Sequence, residues 1–265
     1  MDETQVMDLT TDQRRELIIQ TIADNGLVRV SDLSERFSIS EVSIRRDLAH
    51  LEQLGILKRV HGGAIAAPRL PRGSSVSANM SCHVEEKERI GRAAAAMIRE
   101  GDRVILDSGT TPLHVARNIP LELLNAGNLT VITASLPIVR ELGGWKGVHL
   151  ILLGGIYLPE YEIVVGPQTI ANLTNLHVDK VFMGTDGLTF THGVTTANVL
   201  EAEVDRAFVN ASTEVIAVAD SSKVGVVGLT TILPLHELNR LITDAQAPAD
   251  FVQALREQGV EVILV

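Results

Sequence analysis

Beyond Gly101 the chain alternates seven short aliphatic runs with stretches of helical pattern, and few folds accommodate that alternation. The runs are Arg103-Val-Ile-Leu106, Leu129-Thr-Val-Ile-Thr133, Val148-His-Leu-Ile-Leu-Leu153, Lys180-Val-Phe-Met183, Glu214-Val-Ile-Ala-Val-Ala219, Arg240-Leu-Ile-Thr243 and Val260-Glu-Val-Ile-Leu-Val265. Most are apolar over several consecutive positions, the mark of strands buried on both faces. Such strands, separated by helices, predict an α/β domain on a mostly parallel sheet. Aromatic residues are only 3% of the chain, so its core must come from the Val, Ile, Leu and Ala that dominate the 45% apolar fraction.

In an open parallel sheet, ligands sit beyond the carboxyl ends of the strands. The residues following the runs are therefore the first candidates for a site. The first run leads into Asp107-Ser108-Gly109-Thr110-Thr111, with a helix opening at Pro112. Glycine there lets backbone approach a ligand, hydroxyls and successive N–H groups surround an anion, and the helix N-terminus adds partial positive charge. This is the form of a phosphate cradle, although it lacks the Gly-Lys-Ser/Thr ending of a Walker A loop. Later runs lead to Ser135, to Gly154-Gly155, to Gly184-Thr-Asp186-Gly187, to Asp220-Ser-Ser-Lys223 and to Asp244. Taken singly, each such loop is also ordinary turn and capping chemistry, and Asp244 is read that way. His61, His177 and His192 have no metal-ligand spacing, so neither a metal site nor a cofactor is expected.

The first 66 residues follow another plan. Thr11 or Asp12 caps a helix carrying Leu17, Ile18 and Ile22, and Leu27-Val-Arg-Val30 is extended. Ser31 caps a second helix through Phe37, and only Ser38 and Ile39 separate it from a third that Ser40 caps and Gly55 ends. Ile44, Leu48 and Leu51 share the buried face of this third helix. Val42, Arg46 and Ala49 point the other way, flanked by Ser43 and Arg45. Two helices joined by a very short turn, the second with an arginine face, make a helix-turn-helix. Arginines there reach phosphates or guanine edges in the major groove, while small side chains allow close approach. Ile56-Leu-Lys58-Arg59-Val60, the turn His61-Gly-Gly63 and Ala64-Ile-Ala66 form a hairpin wing whose basic residues meet backbone phosphates. A purely solvated amphipathic helix explains the third helix alone, but not the whole unit.

Net charge is −10, unlike many nucleic-acid binders. Residues 12–66, however, hold eight Lys/Arg against eight Asp/Glu, with a basic group at 45, 46, 58 and 59. Residues 67–265 hold fifteen against twenty-two. Non-specific affinity scales with phosphates neutralised, so a locally neutral unit points to a selective binder. Pro68, Pro71, Gly73 and Ser74-Ser-Val-Ser77 break all periodicity. The expected organisation is a winged helix-turn-helix at 1–66, a linker at 67–82 and an α/β domain at 83–265. Cys82 is the single cysteine, so no disulfide framework exists. No run approaches the ~20 apolar residues of a membrane span, no signal peptide opens the chain, and a cytoplasmic location is expected.

Ser43-Ile-Arg-Arg-Asp-Leu48, Gly55-Ile-Leu-Lys-Arg-Val-His-Gly-Gly-Ala64 and Arg14-Arg-Glu-Leu-Ile18 resemble the N-terminal domain of DeoR-type bacterial transcriptional regulators. Glu86-Lys87, Leu106–Thr111, Val131–Ser135, Leu153–Gly155, Gly184–Gly187, Glu201-Ala-Glu203 and Ala219–Lys223 resemble the effector domain of the same family, which is similar in fold to sugar-phosphate isomerases. The resemblance implies a regulator, usually a repressor, that binds double-stranded operator DNA as a homo-oligomer and answers to a phosphorylated sugar or related metabolite. It places phosphate on Asp107–Thr111 and sugar hydroxyls or a carbonyl against Asp186, Glu201 and Lys223. Three positions depart from the family pattern: Ser43 replaces Thr, Ala134 replaces Asn, and Asp205 stands where Lys is frequent. The competing class is an enzyme, with Asp186, Glu201 and Lys223 as acid, base and electrophile of an aldose–ketose isomerisation. A fused DNA-binding unit makes sensing alone sufficient.

Overall fold

The computed structural model describes residues 11–25, 27–53, 57–60, 62–66 and 79–265. The chain divides into two compact units, Met1–Leu70 and Pro71–Val265.

In the first unit, α1 (Thr11–Asn25), β1 (Leu27–Arg29), α2 (Val30–Phe37), α3 (Glu41–Gln53), β2 (Leu57–Val60) and β3 (Gly63–Ala66) follow one another. The strands form an antiparallel sheet of order β1-β3-β2. Ile18, Ile22, Leu33, Phe37, Ile44, Leu48 and Leu51 make its core together with Leu57 of the hairpin. Gly63 belongs at the β1–β3 crossing, because a Cβ there would lie 2.1 Å from the Val28 carbonyl oxygen. Ser31 does not cap α2. The helix begins two residues earlier than that cap implies, at Val30, with Arg29 at its N-cap, and the Ser31 hydroxyl donates to Asp32 instead. Ser38 ends α2 in the left-handed region, with φ 51°. The expected stop at Gly55 lies outside the described residues.

The second unit opens with α4 (Val84–Ala95), followed by β4 (Arg103–Leu106), α5 (Thr110–Arg117), α6 (Leu121–Ala126), β5 (Leu129–Thr133), α7 (Leu136–Leu142) and β6 (Val148–Leu152). Next come the hairpin β7 (Ile156–Leu158) and β8 (Ile163–Val165), α8 (Pro167–Leu173), β9 (Val178–Met183), β10 (Gly187–Thr189), β11 (Gly193–Thr196), α9 (Val199–Ala211) and β12 (Ser212–Val218). The chain ends with β13 (Thr230–Leu233), β14 (Arg240–Thr243), α10 (Ala249–Glu257) and β15 (Glu261–Leu264). All seven aliphatic runs enter one sheet of order β15-β14-β12-β9-β4-β5-β6, and every pairing in it is parallel. Buried side chains cover both of its faces: Ile105, Val181 and Ala217 in one cluster, Val104, Leu106 and Phe182 in the other.

From β4 the chain moves outward through β5 and β6, then returns to β9 on the opposite side of β4 and proceeds to β15. The order thus reverses between β4 and β9, and at such a switch point the loops diverge and leave a crevice. A second, antiparallel sheet of order β10-β11-β13 forms from insertions around β9 and β12. None of its three strands was expected from the aliphatic runs, because they are short and rich in Thr and Gly.

Candidate functional site

Two surfaces carry chemistry. On the first unit, α3 presents Ser40, Glu41, Val42, Arg45 and Arg46 to solvent, with Val42 59% exposed. The Ser40 hydroxyl accepts from the Ser43 N–H at 3.3 Å, as an N-cap should. The two arginines are not equivalent. Arg45 pairs with Glu41 one turn earlier at 2.6 Å, whereas Arg46 has no hydrogen-bond or ion-pair partner among the described residues. Asp47, 2% exposed, accepts from Arg14 Nε at 2.8 Å and Arg15 Nε at 3.0 Å, tying α3 to α1. Arg59 is exposed on the hairpin, its backbone N–H donating to Glu52. Nothing is described of the Lys58 side chain, and His61 lies outside the described residues.

On the second unit, a cavity of about 630 Å³, its open mouth included, lies at the carboxyl ends of β4 and β9. Its lining includes Asp107 to Thr111 after β4, Asp186 after β9, Lys223 after β12 and Glu201 on α9. Gly109 sits at φ 97°, where a side chain would be strained, and N-caps α5 without a side-chain cap. The first N–H groups of that helix thus have no capping side chain. Beneath them, Asp107 is held by the N–H of Ser108 at 2.6 Å and of Gly184 at 3.0 Å. Glu201 accepts from the hydroxyls of Ser108 (2.8 Å) and Thr196 (2.6 Å). Asp186 accepts from the Ala197 N–H at 2.9 Å.

Burial dominates the electrostatics. It pushes the Asp107 carboxyl up to about 7, helped by Glu201 and opposed by the two backbone donors. Asp205, on α9, is raised well above the ordinary range by burial and by the neighbouring Asp107 and Glu201. Asp107 and Asp205 share a hydrogen bond, so one proton serves both. Glu201 is raised by burial, with Asp186 adding to the effect. On the cationic side, Lys87 is 3% exposed and its Nζ donates to the carbonyls of Asn79 (2.8 Å) and Cys82 (2.7 Å). Desolvation lowers its pKa, and Lys223 lowers it further against the pull of Asp220.

The comparisons with known proteins fit both halves. Residues 14–69 match the DeoR-like helix-turn-helix domain, and residues 82–245 match the DeoR C terminal sensor domain. This chain belongs to the DeoR family of transcriptional regulators. A relative from Escherichia coli O157:H7, whose name ties it to repression of the aga operon, is 35% identical over 96% of this chain and 94% of its own. The HTH-type transcriptional repressor GlcR of Bacillus subtilis (strain 168) is 33% identical over 96% of each chain. Among solved structures, ribose 5-phosphate isomerase A of Methanocaldococcus jannaschii is similar at a TM-score of 0.39 and 15% identity, over 52% of this chain and 53% of that one. At that level the likeness says nothing of function. The named relatives are regulators and repressors, and this DeoR-family chain has the DNA-binding and sensor domains of a transcriptional regulator. No described helix is long and apolar enough to cross a membrane.

Within this DeoR-family fold, eight of the expected sensor residues come together: Asp107, Ser108, Gly109, Thr110, Thr111, Asp186, Glu201 and Lys223. Ser135, Gly154 and Gly155 do not line the cavity. They follow β5 and β6, which the sheet order carries away from the switch point. Gly155 is needed for packing, since a Cβ there would meet Thr169 Oγ1 at 2.3 Å. Asp244 caps local turns, accepting from the N–H groups of Ser221 and Gln246. Sequence reasoning gave no site role to Asn79, Lys87, Tyr161 and Thr196, which also line the cavity. Lys87 lies in Glu85-Glu-Lys-Glu-Arg89, a run indistinguishable from a solvated helix face. Among the described residues no cluster of His, Cys, Asp and Glu could hold a metal ion.

Proposed function

We propose that this protein is a repressor that binds operator DNA as a homo-oligomer and is controlled by a phosphorylated sugar in the cavity of its second unit. In this reading α3 lies in the major groove. Arg46 reaches bases or phosphates, Val42 and Ser43 face base edges, Ser40 and Arg45 lie at the backbone, and Lys58, Arg59 and His61 of the wing meet phosphates. Residues 1–66 form the DNA-binding domain, 67–82 the linker and 83–265 the sensor. The observation that carries the reading is the convergence at one switch point of uncapped α5 N–H groups, two lysines and a ring of carboxyl groups. The first two suit a phosphate and the third suits a polyhydroxylated body. Control of DNA binding requires the ligand to prefer one of two arrangements of the molecule.

Thermal-shift and calorimetric titrations against a panel of aldose and ketose phosphates, with the unphosphorylated sugars beside them, test the sensor. Tight binding stabilises the folded state by mass action, so a phosphorylated sugar should raise the melting temperature and its unphosphorylated form should not. Equal effects from both forms, or none from either, would remove the phosphate from the reading.

A further inference from the structure

The cavity has an acidic end and a basic end. The charges acting on Lys87 are Asp220, Lys223 and Glu86. Those acting on Asp205 are Asp107, Glu201 and Asp186. Three of the four acidic groups lining the cavity have protein donors: Asp107 from two backbone N–H groups, Glu201 from two hydroxyls, and Asp186 from the Ala197 N–H. Asp205 differs. It is 2% exposed and lines the cavity, yet its fully buried Oδ1 accepts from no protein donor among the described residues.

A buried carboxyl oxygen without a donor is costly to the fold and persists where something other than the fold requires it. A sugar phosphate bearing only hydroxyls adds negative charge to a cavity that already holds four carboxyls and two lysines. An ammonium group supplies what the acidic end lacks, positive charge with three donors. We propose that the cavity selects a phosphorylated amino sugar with a free, protonated amine, and that Asp205 is the residue that recognises the amine.

The inference rests on the sugar-phosphate reading above and narrows it. It places the phosphate at the Ser108–Thr111 backbone and the lysines, and the amine against the Asp107–Asp205 pair. The pair shares a proton that the ammonium would displace into solvent, so binding near neutral pH releases a proton to the buffer. Tyr161, raised by burial and by Glu201, stays protonated there and is not the source.

The full-length protein is titrated calorimetrically with glucosamine 6-phosphate, glucose 6-phosphate and N-acetylglucosamine 6-phosphate, then with the galactose set, in buffers of different ionisation enthalpy. The amino member of a set should bind roughly 10- to 100-fold more tightly than its hydroxyl and N-acetyl counterparts, as a charge-assisted hydrogen bond implies. The amino sugar should release more protons than its hydroxyl and N-acetyl counterparts, because the phosphate, with a second pKa of about 6, contributes alike in all three. In Asp205→Asn the preference should disappear. Equal affinities within each set, no excess proton release by wild type, or a preference that survives Asp205→Asn would each overturn the inference while leaving the sugar-phosphate reading standing. If no sugar phosphate of any kind binds, that reading fails first and the inference with it. The proton count is taken on wild type, so the test stands even if the variant folds poorly.

Discussion

Asp205→Asn should make the unliganded protein more stable at pH 8, and the gain should shrink in acid. The Asp107 carboxyl rises from its ordinary 3.8 to about 7, chiefly through burial, and shares its proton with Asp205. Because the folded-state value is raised, the fold holds this proton more tightly than the unfolded chain does. Stability is therefore greatest below the unfolded value near 4, falls as pH climbs from 4 to 7, and levels off above 7. At about 1.4 kcal/mol per pKa unit, the full cost above pH 7 is roughly 4 kcal/mol, of which about 3 kcal/mol accrues between pH 5 and pH 8. An asparagine removes one of the two acids and offers an amide donor to the Asp107 carboxylate. Burial and Glu201, the two causes that raise Asp107, stay in place in the variant. It should therefore recover only part of this cost, about 1–2 kcal/mol at pH 8, roughly 2–8 °C in melting temperature for a unit of this size. Differential scanning calorimetry on both proteins at pH 5 and pH 8 isolates the effect of the carboxyl cluster, because titrating groups that do not act on Asp205 cancel in the difference. If the variant melts at or below wild type at pH 8, or the difference is the same at both pH values, the shared-proton account is wrong.

Arg46→Ala should weaken binding to the cognate operator by about 1–3 kcal/mol, roughly 5- to 150-fold in a gel-shift titration, with an unchanged melting temperature. Arg45→Ala should cost less, because Arg45 is already paired with Glu41 and must give up that contact to reach DNA. Equal losses for the two would contradict this asymmetry. Asp47→Ala removes the buried carboxylate shared by the part-exposed arginines at positions 14 and 15 and should destabilise the first unit by roughly 1–3 kcal/mol. It should separate the two units in a melting curve, with only the first unit's transition moving. Gly91→Ala sets a Cβ 2.6 Å from the His114 carbonyl carbon, at the contact of α4 with α5. A loss of about 1–3 kcal/mol by chemical denaturation is expected, and an unchanged midpoint would mean that the two helices part at little cost.

The first unit was largely legible because its signals are local. Ile44, Leu48 and Leu51 keep helical spacing and are all buried, and the run from Leu57 to Ala66 pairs as the expected hairpin. What failed was a cap. Ser31 looks like an N-cap residue by type, but Val30 is buried in the core at 5% exposure, and packing it into the first turn of α2 starts the helix two residues early. Arg45 and Arg46 look alike in the sequence, and only their neighbours tell them apart. The i, i+4 spacing of Glu41 and Arg45 was there to be read, and it identifies the paired arginine.

In the second unit the strands were legible and their order was not, and it is the order that makes the site. Aliphatic runs mark seven strands whatever their neighbours are, so loops after all seven had equal standing in the sequence. Right-handed crossovers permit the chain to add strands on either side of β4. Here β5 and β6 go to one side, and β9, β12, β14 and β15 to the other. That single reversal sets Asp107 beside Gly184, whose N–H donates to it across 77 residues of sequence, and leaves Ser135 and Gly154 on the outer side of β4. The loops that converge are those of β4 and its neighbours on the reversed side. Ser108 and Glu201 meet across 93 residues by the same geometry. Asp205 then follows from Glu201 by helical spacing, since positions four apart on α9 share a face. With Glu201 fixed against Ser108, Asp205 is bound to point the same way. It is this consequence of strand order, and not any local motif, that brings a fourth carboxyl into the cavity and makes an amine the complementary ligand group.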